Sequence, residues 1–282
     1  MPSAFGDLVA LASQPIDAIK IPQVVALVES EPAVAARLLR LANSAFFGAR
    51  RQIETLPEAI VRIGLTETMD VTRLSLLSDR VPKLPSFPGF SADQFWVHSW
   101  ICATSASVLG RPHYLTQPSC GALHLAGLVH DIGKAVLAIW AREEFEACLA
   151  RARNERRLLA EVELEAVGMD HAMVGAYILS AWDLPVSICE AVACHHHPDG
   201  ALPEHREFAS LTQFSDVLAN RLQMQGDETP AFYELENTWL LRHGGKVWSS
   251  PERLQALLAE TEEAVQSKSQ LLKYTIDLPE GE

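Results

Sequence analysis

The spacing of apolar residues is the feature of this 282-residue chain that most restricts its fold. Apolar side chains recur at intervals of three and four residues along almost the whole chain, which is the period of a helix with one buried face. Alternating runs of apolar and polar residues, which half-buried strands require, do not reach a useful length. The pattern therefore predicts an all-α protein, and a chain of this length can bury roughly 75% of its unfolded surface.

Proline, glycine and capping residues divide this pattern into helices. Pro32 begins a helix that ends near Asn43, and Thr55 is the expected N-cap of a helix with Pro57 in its first turn. Gly64 separates that helix from the next. The remaining helices are expected near residues 66–78, 92–109, 119–140, 143–154, 158–167, 171–182, 185–195, 208–222 and 251–268.

Two stretches rich in helix breakers predict the domain boundaries. Residues 81–89 contain three prolines and a glycine, and residues 225–230 form a second break. We therefore expect an N-terminal helical subdomain at 1–81, a core at 90–224 and a C-terminal helical extension at 231–282, with connectors at 82–89 and 225–230. The amphipathic helix at 251–268 either covers the core or pairs with another chain, and we favour the first. The acidic tail from Asp277 is expected to fray.

Charge and composition restrict the partners. The net charge of −13 argues against broad binding to nucleic-acid backbones, which needs a positive surface. A local group of arginines is either a partner or nucleic-acid patch or a solvated helix face. Its members are Arg37, Arg40, Arg50, Arg51 and Arg62.

The lengths of the apolar runs, the first twenty residues and the cysteines predict the cellular compartment. No run approaches the roughly 18 uninterrupted apolar residues of a membrane helix, so no membrane contact is expected. The first twenty residues carry Asp7 and Asp17 without a basic segment, which argues against a secretory signal. The five cysteines are odd in number and lack a C-x-x-C pair, which is typical of reduced core thiols. We expect a cytoplasmic protein.

Histidine and aspartate residues in the second half of the chain are candidate metal ligands, because imidazole and carboxylate groups hold borderline divalent metals. The candidates are His98, His130, Asp131, His171, His195, His196, His197 and Asp216. Each residue alone has a simpler interpretation. Asp216 could pair with a basic side chain, and the three consecutive histidines could be a solvated helix end. His113, His124, His205 and His243 are expected to be ordinary core or surface residues.

The pair His130–Asp131 sets a geometric condition. Adjacent helix positions differ in direction by about 100°, so the two side chains can converge only on the flank of their helix, between packed helices. Lys134 follows Asp131 by three residues and lies on the same flank, where its ammonium could bind a phosphate. Gly127 and Gly133 flank the pair and would let neighbouring helices come close.

Taken in order, these residues resemble the HD superfamily, most closely HD-GYP phosphodiesterases and their HDOD relatives, over about Phe95 to Leu222. The segments that carry the resemblance are FWVHS at 95–99, AGLVHDIGK at 126–134, DHAMVGA at 170–176 and CHHHP at 194–198. EPAVAARLLRLANSAFFG at 31–48 and AIVRIG at 59–64 look like the helical lead-in of HDOD proteins. The resemblance implies a helical N-terminal subdomain on an HD-like core, in proteins used mainly as output or scaffold modules of bacterial signalling.

The resemblance also implies a ligand set, although many HDOD proteins have lost ligands. The matching positions are His98, His130, Asp131, His171, His196, His197 and Asp216, which would hold one or two divalent ions such as Fe, Mn or Zn. Two departures from HD-GYP enzymes matter. Residues after His197 read Pro198-Asp199-Gly200 and lack the Gly-Tyr-Pro element, which argues against cyclic-di-GMP hydrolysis. Gln94 stands where trinuclear enzymes carry a carboxylate, which argues against a third metal.

Two functions remain open at this point. The favoured one is a non-catalytic regulatory module that binds a signalling protein or a nucleotide. The alternative is a metal-dependent phosphohydrolase or phosphodiesterase, in which the metal lowers the pKa of a bound water towards about 7. In that case Asp131 would bridge or orient the ions, and Lys134 would bind the non-bridging phosphate oxygens. The oligomeric state is not predicted.

Overall fold

A computed structural model describes residues 4–12, 14, 16–48, 51–111, 120–223, 234–244, 248 and 250–275. Within these ranges the chain forms fifteen α-helices and no β-strand, and Phe87 and Phe90 make an isolated antiparallel bridge. The prediction of an all-α fold is confirmed. The predicted break at 225–230, the tail from Asp277 and His113 lie outside the described residues.

The helices group into two compact units, which we call unit 1 (Met1–Pro82 with Val265–Glu282) and unit 2 (Lys83–Ala264). The division at Pro82 falls inside the stretch proposed as a connector from its prolines. Unit 1 contains α1 (Ala4–Ala12), α2 (Ile21–Glu29), α3 (Pro32–Ala42), α4 (Leu56–Ile63) and α5 (Leu65–Ser78). The last helix, α15 (Pro251–Thr275), has residues in both units, with Pro251–Ala264 in unit 2 and Val265–Thr275 in unit 1.

Unit 1 shows how local signals set helix ends. The Thr55 Oγ1 accepts a hydrogen bond from the Glu58 backbone N–H at 3.4 Å, which confirms Thr55 as the N-cap of α4. Gly64 has φ of +96° and joins α4 to α5, a backbone conformation that favours glycine. The core face of α3 buries Val34, Leu38 and Leu41 at helical spacing.

Helix α5 is buried on every side, although its sequence contains charged residues. Ten consecutive residues, from Thr68 to Leu77, are buried. Asp70 Oδ1 accepts from Arg73 Nη1 at 2.9 Å, and Asp70 Oδ2 accepts from Lys268 Nζ of α15 at 2.5 Å. We call Asp70, Arg73 and Lys268 the unit 1 ion cluster. Leu271 and Leu272 of α15 are also buried, as expected of a helix that covers a core.

The arginine group predicted as a possible patch lies in unit 1 apart from Arg50, which is outside the described residues. Arg37 pairs with Asp79 at 2.8 Å and Arg51 with Glu58 at 2.8 Å. Arg62 donates to the Gly48 carbonyl at 2.6 Å. These contacts support the interpretation as a helix face.

In its described residues, unit 2 contains nine complete helices. They are α6 (Ala92–Leu109), α7 (Cys120–Val129), α8 (Ile132–Trp140), α9 (Arg142–Glu155), α10 (Leu159–Val167), α11 (His171–Ala181), α12 (Val186–Ala193), α13 (Pro203–Gln223) and α14 (Trp239–His243). Helix α6 packs on α7 and α13, while α11 packs on α8 and α12. This arrangement brings the ends of α7, α8, α11 and α12 together beside α6 and α13.

Two glycines permit this packing, as the sequence predicted. A Cβ on Gly127 would lie 2.9 Å from the Cα of Ala103 in α6. A Cβ on Gly133 would lie only 1.9 Å from the carbonyl oxygen of His171 in α11. Any side chain at either position would separate the helices, because real Cβ atoms do not approach other atoms so closely.

The helix predicted over 119–140 is in fact two helices, which is a correction with consequences for the site. His130 and Asp131 lie in the turn between α7 and α8. Asp131 has φ of −99° and ψ of 9°, and its carbonyl accepts from the Lys134 N–H at 2.8 Å. The two side chains therefore leave the backbone from a turn, rather than from the flank of a continuous helix.

The same stretch, Cys120–Trp140, is long and apolar enough to cross a membrane by length and composition, with a mean hydropathy of 1.4. In the most apolar part of this stretch, 72% of the residues are buried inside the fold, which is typical of a core helix in a folded domain. All five cysteines are free thiols, as predicted.

Candidate metal centre

Histidine and aspartate side chains from five places in unit 2 meet at one buried point. They come from α6 (His98), the α7–α8 turn (His130 and Asp131), the start of α11 (His171), the segment after α12 (His195 and His196) and α13 (Asp216). We call these seven residues the histidine cluster. Within it, three overlapping groups each place their ligand atoms within 4.8 Å of one another. The groups are His98–His130–Asp131, His130–His195–Asp216 and His171–His195–His196.

Asp131 lies at the centre of the cluster and faces both of its sides. Its Oδ2 is 3.3 Å from His130 Nε2 and 3.8 Å from His98 Nε2. Its Oδ1 is 3.3 Å from His171 Nε2 and 3.9 Å from His195 Nε2. One carboxylate thus faces imidazoles from four separate parts of the chain.

The outward ring nitrogens of two histidines bind backbone carbonyls. His130 Nδ1 lies 2.8 Å from the Gly127 oxygen, and His195 Nδ1 lies 2.7 Å from the Val192 oxygen. A carbonyl oxygen only accepts hydrogen bonds, so each Nδ1 carries the proton and donates. The Nε2 atom of each ring therefore faces the cluster.

Side-chain oxygens hold two further rings in the same way. His98 Nδ1 donates to Gln223 Oε1 at 2.7 Å. His171 Nδ1 donates to Glu163 Oε2 at 2.6 Å, and the same oxygen accepts the His171 backbone N–H at 2.8 Å. Four imidazoles thus share one orientation, with Nδ1 bound outward and Nε2 turned inward.

Burial and neighbouring charges divide the histidines into two classes. Burial lowers the pKa of His130, but the charges of Asp131 and Cys102, together with hydrogen bonds to Asp131 and Asp216, raise that pKa well above the usual value. His171 behaves likewise, because the Glu163 charge opposes burial and raises its pKa. Burial, with the charge of His130 second, lowers the pKa of His195 to about 3. Burial and the neighbouring imidazoles also hold the pKa of His196 well below its usual value.

The carboxylates are correspondingly ionised. Burial raises the pKa of Asp131, but the charges of His130 and Lys134 outweigh it, and the net pKa is well below the usual value. Burial also raises the pKa of Asp216, and hydrogen bonds from His130 and His98 then bring it well below normal. Protons on His130 and His171 therefore supply positive charge to a cluster that also contains ionised carboxylates.

The donor atoms fit a divalent metal ion. His98 Nε2 lies 3.3 Å from His130 Nε2, and His171 Nε2 lies 2.9 Å from His196 Nε2. Two ring nitrogens cannot face each other at such distances as bare lone pairs, so a proton or a cation must lie between them. Among the described residues, the buried Asp131 Oδ1 and His195 Nε2 have no hydrogen-bond partner. Imidazole nitrogen and carboxylate oxygen are donors for Zn, Mn and Fe.

Lys134 lies at the more accessible edge of the cluster. Its Nζ donates to Asp131 Oδ2 at 2.6 Å, so it does share the side of Asp131 as its spacing predicted. The side chains of Lys134 and His98 are 22% and 12% exposed, whereas that of Asp131 is only 3% exposed. Lys134 and His98 are therefore more accessible to a ligand from solvent than Asp131 is.

One predicted ligand lies outside the cluster. His197 is exposed and precedes the 3₁₀ turn Pro198–Gly200, so the structure does not bring it to the other six predicted ligands. The buried His195 occupies the cluster instead. A sequence signal existed, because Ile188 and Val192 mark the buried face of α12 and His195 follows Val192 by three.

Glu163 and Gln223 were missed altogether. Both contact the outward nitrogen of a histidine that lies on a different helix, Glu163 on α10 facing His171 on α11 and Gln223 on α13 facing His98 on α6. No local signal could have found them. Of the histidines expected to be ordinary, the three in the described residues lie outside the cluster: His124 contacts Ser107, His205 pairs with Glu190 and His243 lies against Trp239.

Comparison with known proteins decides the family. The HDOD domain family matches residues 1–198. The chain belongs to the HDOD family. This HDOD chain is also 25% identical to an uncharacterised protein of Treponema pallidum (strain Nichols) over 214 residues, which are 75% of this chain and 40% of that protein. The chain therefore spans less than half the length of this curated relative.

Solved structures share the fold of this HDOD protein. An HDOD domain protein of unknown function from Geobacter sulfurreducens has a TM-score of 0.69 at 21% identity, covering 95% of this chain and 91% of its own. A candidate phosphohydrolase from Shewanella amazonensis SB2B has a TM-score of 0.70 at 20% identity, covering 98% and 94%. A candidate metal-dependent phosphohydrolase from the same organism has a TM-score of 0.50 at 20% identity, covering 95% and 90%. At these identities the likeness shows the fold alone.

Proposed function

We propose that this HDOD protein is a metal-binding regulatory module of bacterial signalling, which acts in the cytoplasm by binding a signalling protein or a nucleotide. Its histidine cluster would hold one or two divalent ions of Fe, Mn or Zn. The observation that carries the metal site is the shared orientation of four imidazoles, whose Nδ1 atoms are bound outward and whose Nε2 atoms converge around Asp131.

The seven cluster residues would hold the metal. Asp131 is suited to contact both sides of the site, because its two oxygens face different histidines. A bound divalent ion would supply Lewis acidity and the positive charge that protons on His130 and His171 otherwise provide. The outward hydrogen bonds of the rings keep the ligands in place before the ion arrives, which reduces the ordering that binding requires.

The segment after His197 supports a regulatory rather than a catalytic role. Where HD-GYP enzymes carry Gly-Tyr-Pro, Pro198–Gly200 forms a 3₁₀ turn whose Asp199 Oδ1 accepts from Trp239 Nε1 at 2.6 Å. Gln213 binds the His196 carbonyl through Nε2 and the Trp239 N–H through Oε1. These hydrogen bonds connect His196 and Asp199 to α13 and α14. Gln94 lies exposed in the first turn of α6 and offers no carboxylate for a third metal.

A metal-dependent phosphohydrolase is the second candidate, and Lys134 is the observation that favours it. Its partly exposed ammonium adjoins the central carboxylate, where it could bind a non-bridging phosphate oxygen. Its ammonium has three N–H donors, so it could bind phosphate and keep its hydrogen bond to Asp131. Two proteins of similar fold are themselves candidate phosphohydrolases.

Elemental mass spectrometry would test the metal site, on protein purified without a metal-affinity column and on the Asp131→Ala variant as the matched control. We expect one or two equivalents of Fe, Mn or Zn in the wild type and their loss in the variant. Wild-type protein that carries no metal and takes up none of these ions on dialysis would contradict the proposal.

A hydrolysis assay separates the two candidates. The metal-loaded wild type, Asp131→Ala and Lys134→Ala would be given bis(p-nitrophenyl) phosphate and cyclic dinucleotides. For a regulatory module we expect no turnover above that of the Asp131→Ala variant. Turnover that disappears in Asp131→Ala and falls in Lys134→Ala would establish the phosphohydrolase instead.

A further inference from the structure

Glu163 is a buried carboxylate that contacts the cluster only through the outward side of His171. It lies on α10 and is 1% exposed. Its Oε2 accepts both the His171 Nδ1–H at 2.6 Å and the His171 backbone N–H at 2.8 Å. One oxygen thus fixes both the position of the residue and the direction of its ring.

Capping of α11 does not account for this carboxylate. Asp170 already serves as the N-cap, because its Oδ1 accepts the Met173 N–H at 2.8 Å. A neutral acceptor would satisfy the remaining His171 N–H equally well. The buried Glu163 Oε1 has no hydrogen-bond partner among the described residues. A buried oxygen without a partner destabilises the fold, and a purely structural acceptor for His171 would not require one.

The acceptors behind the other three rings are neutral. His130 and His195 donate to backbone carbonyls, and His98 donates to the amide of Gln223. Of the four rings, therefore, only His171 is backed by a carboxylate. A carboxylate that accepts the Nδ1 proton increases the electron density on Nε2 and makes the imidazole a stronger metal ligand.

We infer that Glu163 is a positioning residue which, through His171, makes the His171–His195–His196 side of the cluster the tighter half of the metal site. This inference rests on the metal-binding function proposed above. The two halves of the site lie on either side of Asp131, which faces both of them. Their metal affinities should differ, because the Glu163 carboxylate contacts a histidine of only one half.

Metal titration of the purified full chain would test this inference. Glu163→Gln keeps an oxygen that can accept from His171 but removes the charge. Glu161→Gln is the matched control, because Glu161 lies on the same helix with a 44% exposed side chain and contacts Arg157 instead. Zn²⁺ or Mn²⁺ affinity would be measured by competition with a chromophoric chelator, and helix content by circular dichroism.

We expect Glu163→Gln to keep the wild-type helix content while its affinity for the first equivalent of metal falls about 10- to 100-fold. Glu161→Gln should bind as the wild type does. Equal affinities in the wild type and Glu163→Gln would overturn the inference and leave the metal site intact. A wild type that binds no metal would overturn the proposed function and this inference together.

A second measurement uses the wild type and does not depend on the folding of a variant. Nitrogen-15 NMR of the metal-loaded protein should show His171 protonated at Nδ1, with that proton shifted furthest downfield among the cluster imidazoles by its bond to a carboxylate. A His171 Nδ1 proton at the same shift as those of His130 and His195 would contradict the role of Glu163.

Discussion

Both units bury a carboxylate among side chains that can be positively charged, but the sources of the charge differ. In unit 1, Asp70 binds Arg73 and Lys268, whose side chains carry permanent positive charges. In unit 2, Asp131 is surrounded by imidazoles, and His130 and His171 are positive only while they hold a second proton. Lys134 is the permanent cation that binds Asp131 there.

This difference separates a structural ion cluster from a binding site. An arginine or lysine side chain cannot be replaced by a solute without unfolding the packing around it. A proton on an imidazole can be exchanged for a metal ion at the same nitrogen, so the histidine cluster is complete with either species. A buried carboxylate therefore indicates a ligand site most strongly when the charges that balance it are exchangeable.

Removal of Asp70 should give the largest effect on stability and no effect on metal binding. Asp70→Ala removes the buried carboxylate that Arg73 and Lys268 both contact, and we expect a loss of about 3–5 kcal/mol in the free energy of unfolding. Urea denaturation with EDTA and with added Zn²⁺ would measure it, and the loss should be the same in both. Asp79→Ala, at the half-exposed pair with Arg37, is the control and should cost less than about 1 kcal/mol. If the loss of stability in Asp70→Ala depended on Zn²⁺, the distinction between a structural ion cluster in unit 1 and a metal site in unit 2 would fail.

Gly133→Ala should give an intermediate loss of stability together with a loss of metal binding. The added Cβ would lie 1.9 Å from the His171 carbonyl, so α8 and α11 must separate and carry Asp131 and His171 apart. We expect about 1–3 kcal/mol of destabilisation by urea denaturation and weaker Zn²⁺ binding by chelator competition. Gly200→Ala is the control, because its Cβ meets only Cys194 Sγ at 3.8 Å. Unchanged metal binding in Gly133→Ala would show that the cluster does not depend on this close approach.

The dependence of metal affinity on pH should distinguish the two clusters most sharply, and it requires no substitution. The raised pKa values of His130 and His171 mean that both rings hold protons near neutral pH in the metal-free protein, and a metal must displace them. Affinity should therefore rise with pH until these rings are neutral, by up to about tenfold per pH unit for each proton displaced. Chelator competition between about pH 6 and about pH 8 would measure this change. A constant affinity over that range would contradict the exchange of protons for metal.

Local features of the fold were predictable because they depend on neighbouring residues. Helix α6 occupies the predicted residues 92–109, since Ser91 caps its start and the apolar period runs unbroken to Leu109. The close approaches at Gly127 and Gly133 also followed from the sequence. The predicted continuous helix over 119–140 was wrong, because the non-helical backbone of Asp131 interrupts a stretch whose apolar pattern continues on both sides.

The sequence by itself determined that this protein is all-helical, that its ligand-like residues are histidines and aspartates, and that the HDOD resemblance holds. Only the tertiary structure decided that His195 rather than His197 joins the cluster, that Glu163 backs His171, and that Asp70 is buried among cations. The physical reason is that helical periodicity gives the direction of a side chain relative to its own helix. Which group lies opposite that side chain depends on how separate helices pack, and those contacts join residues that no spacing relates.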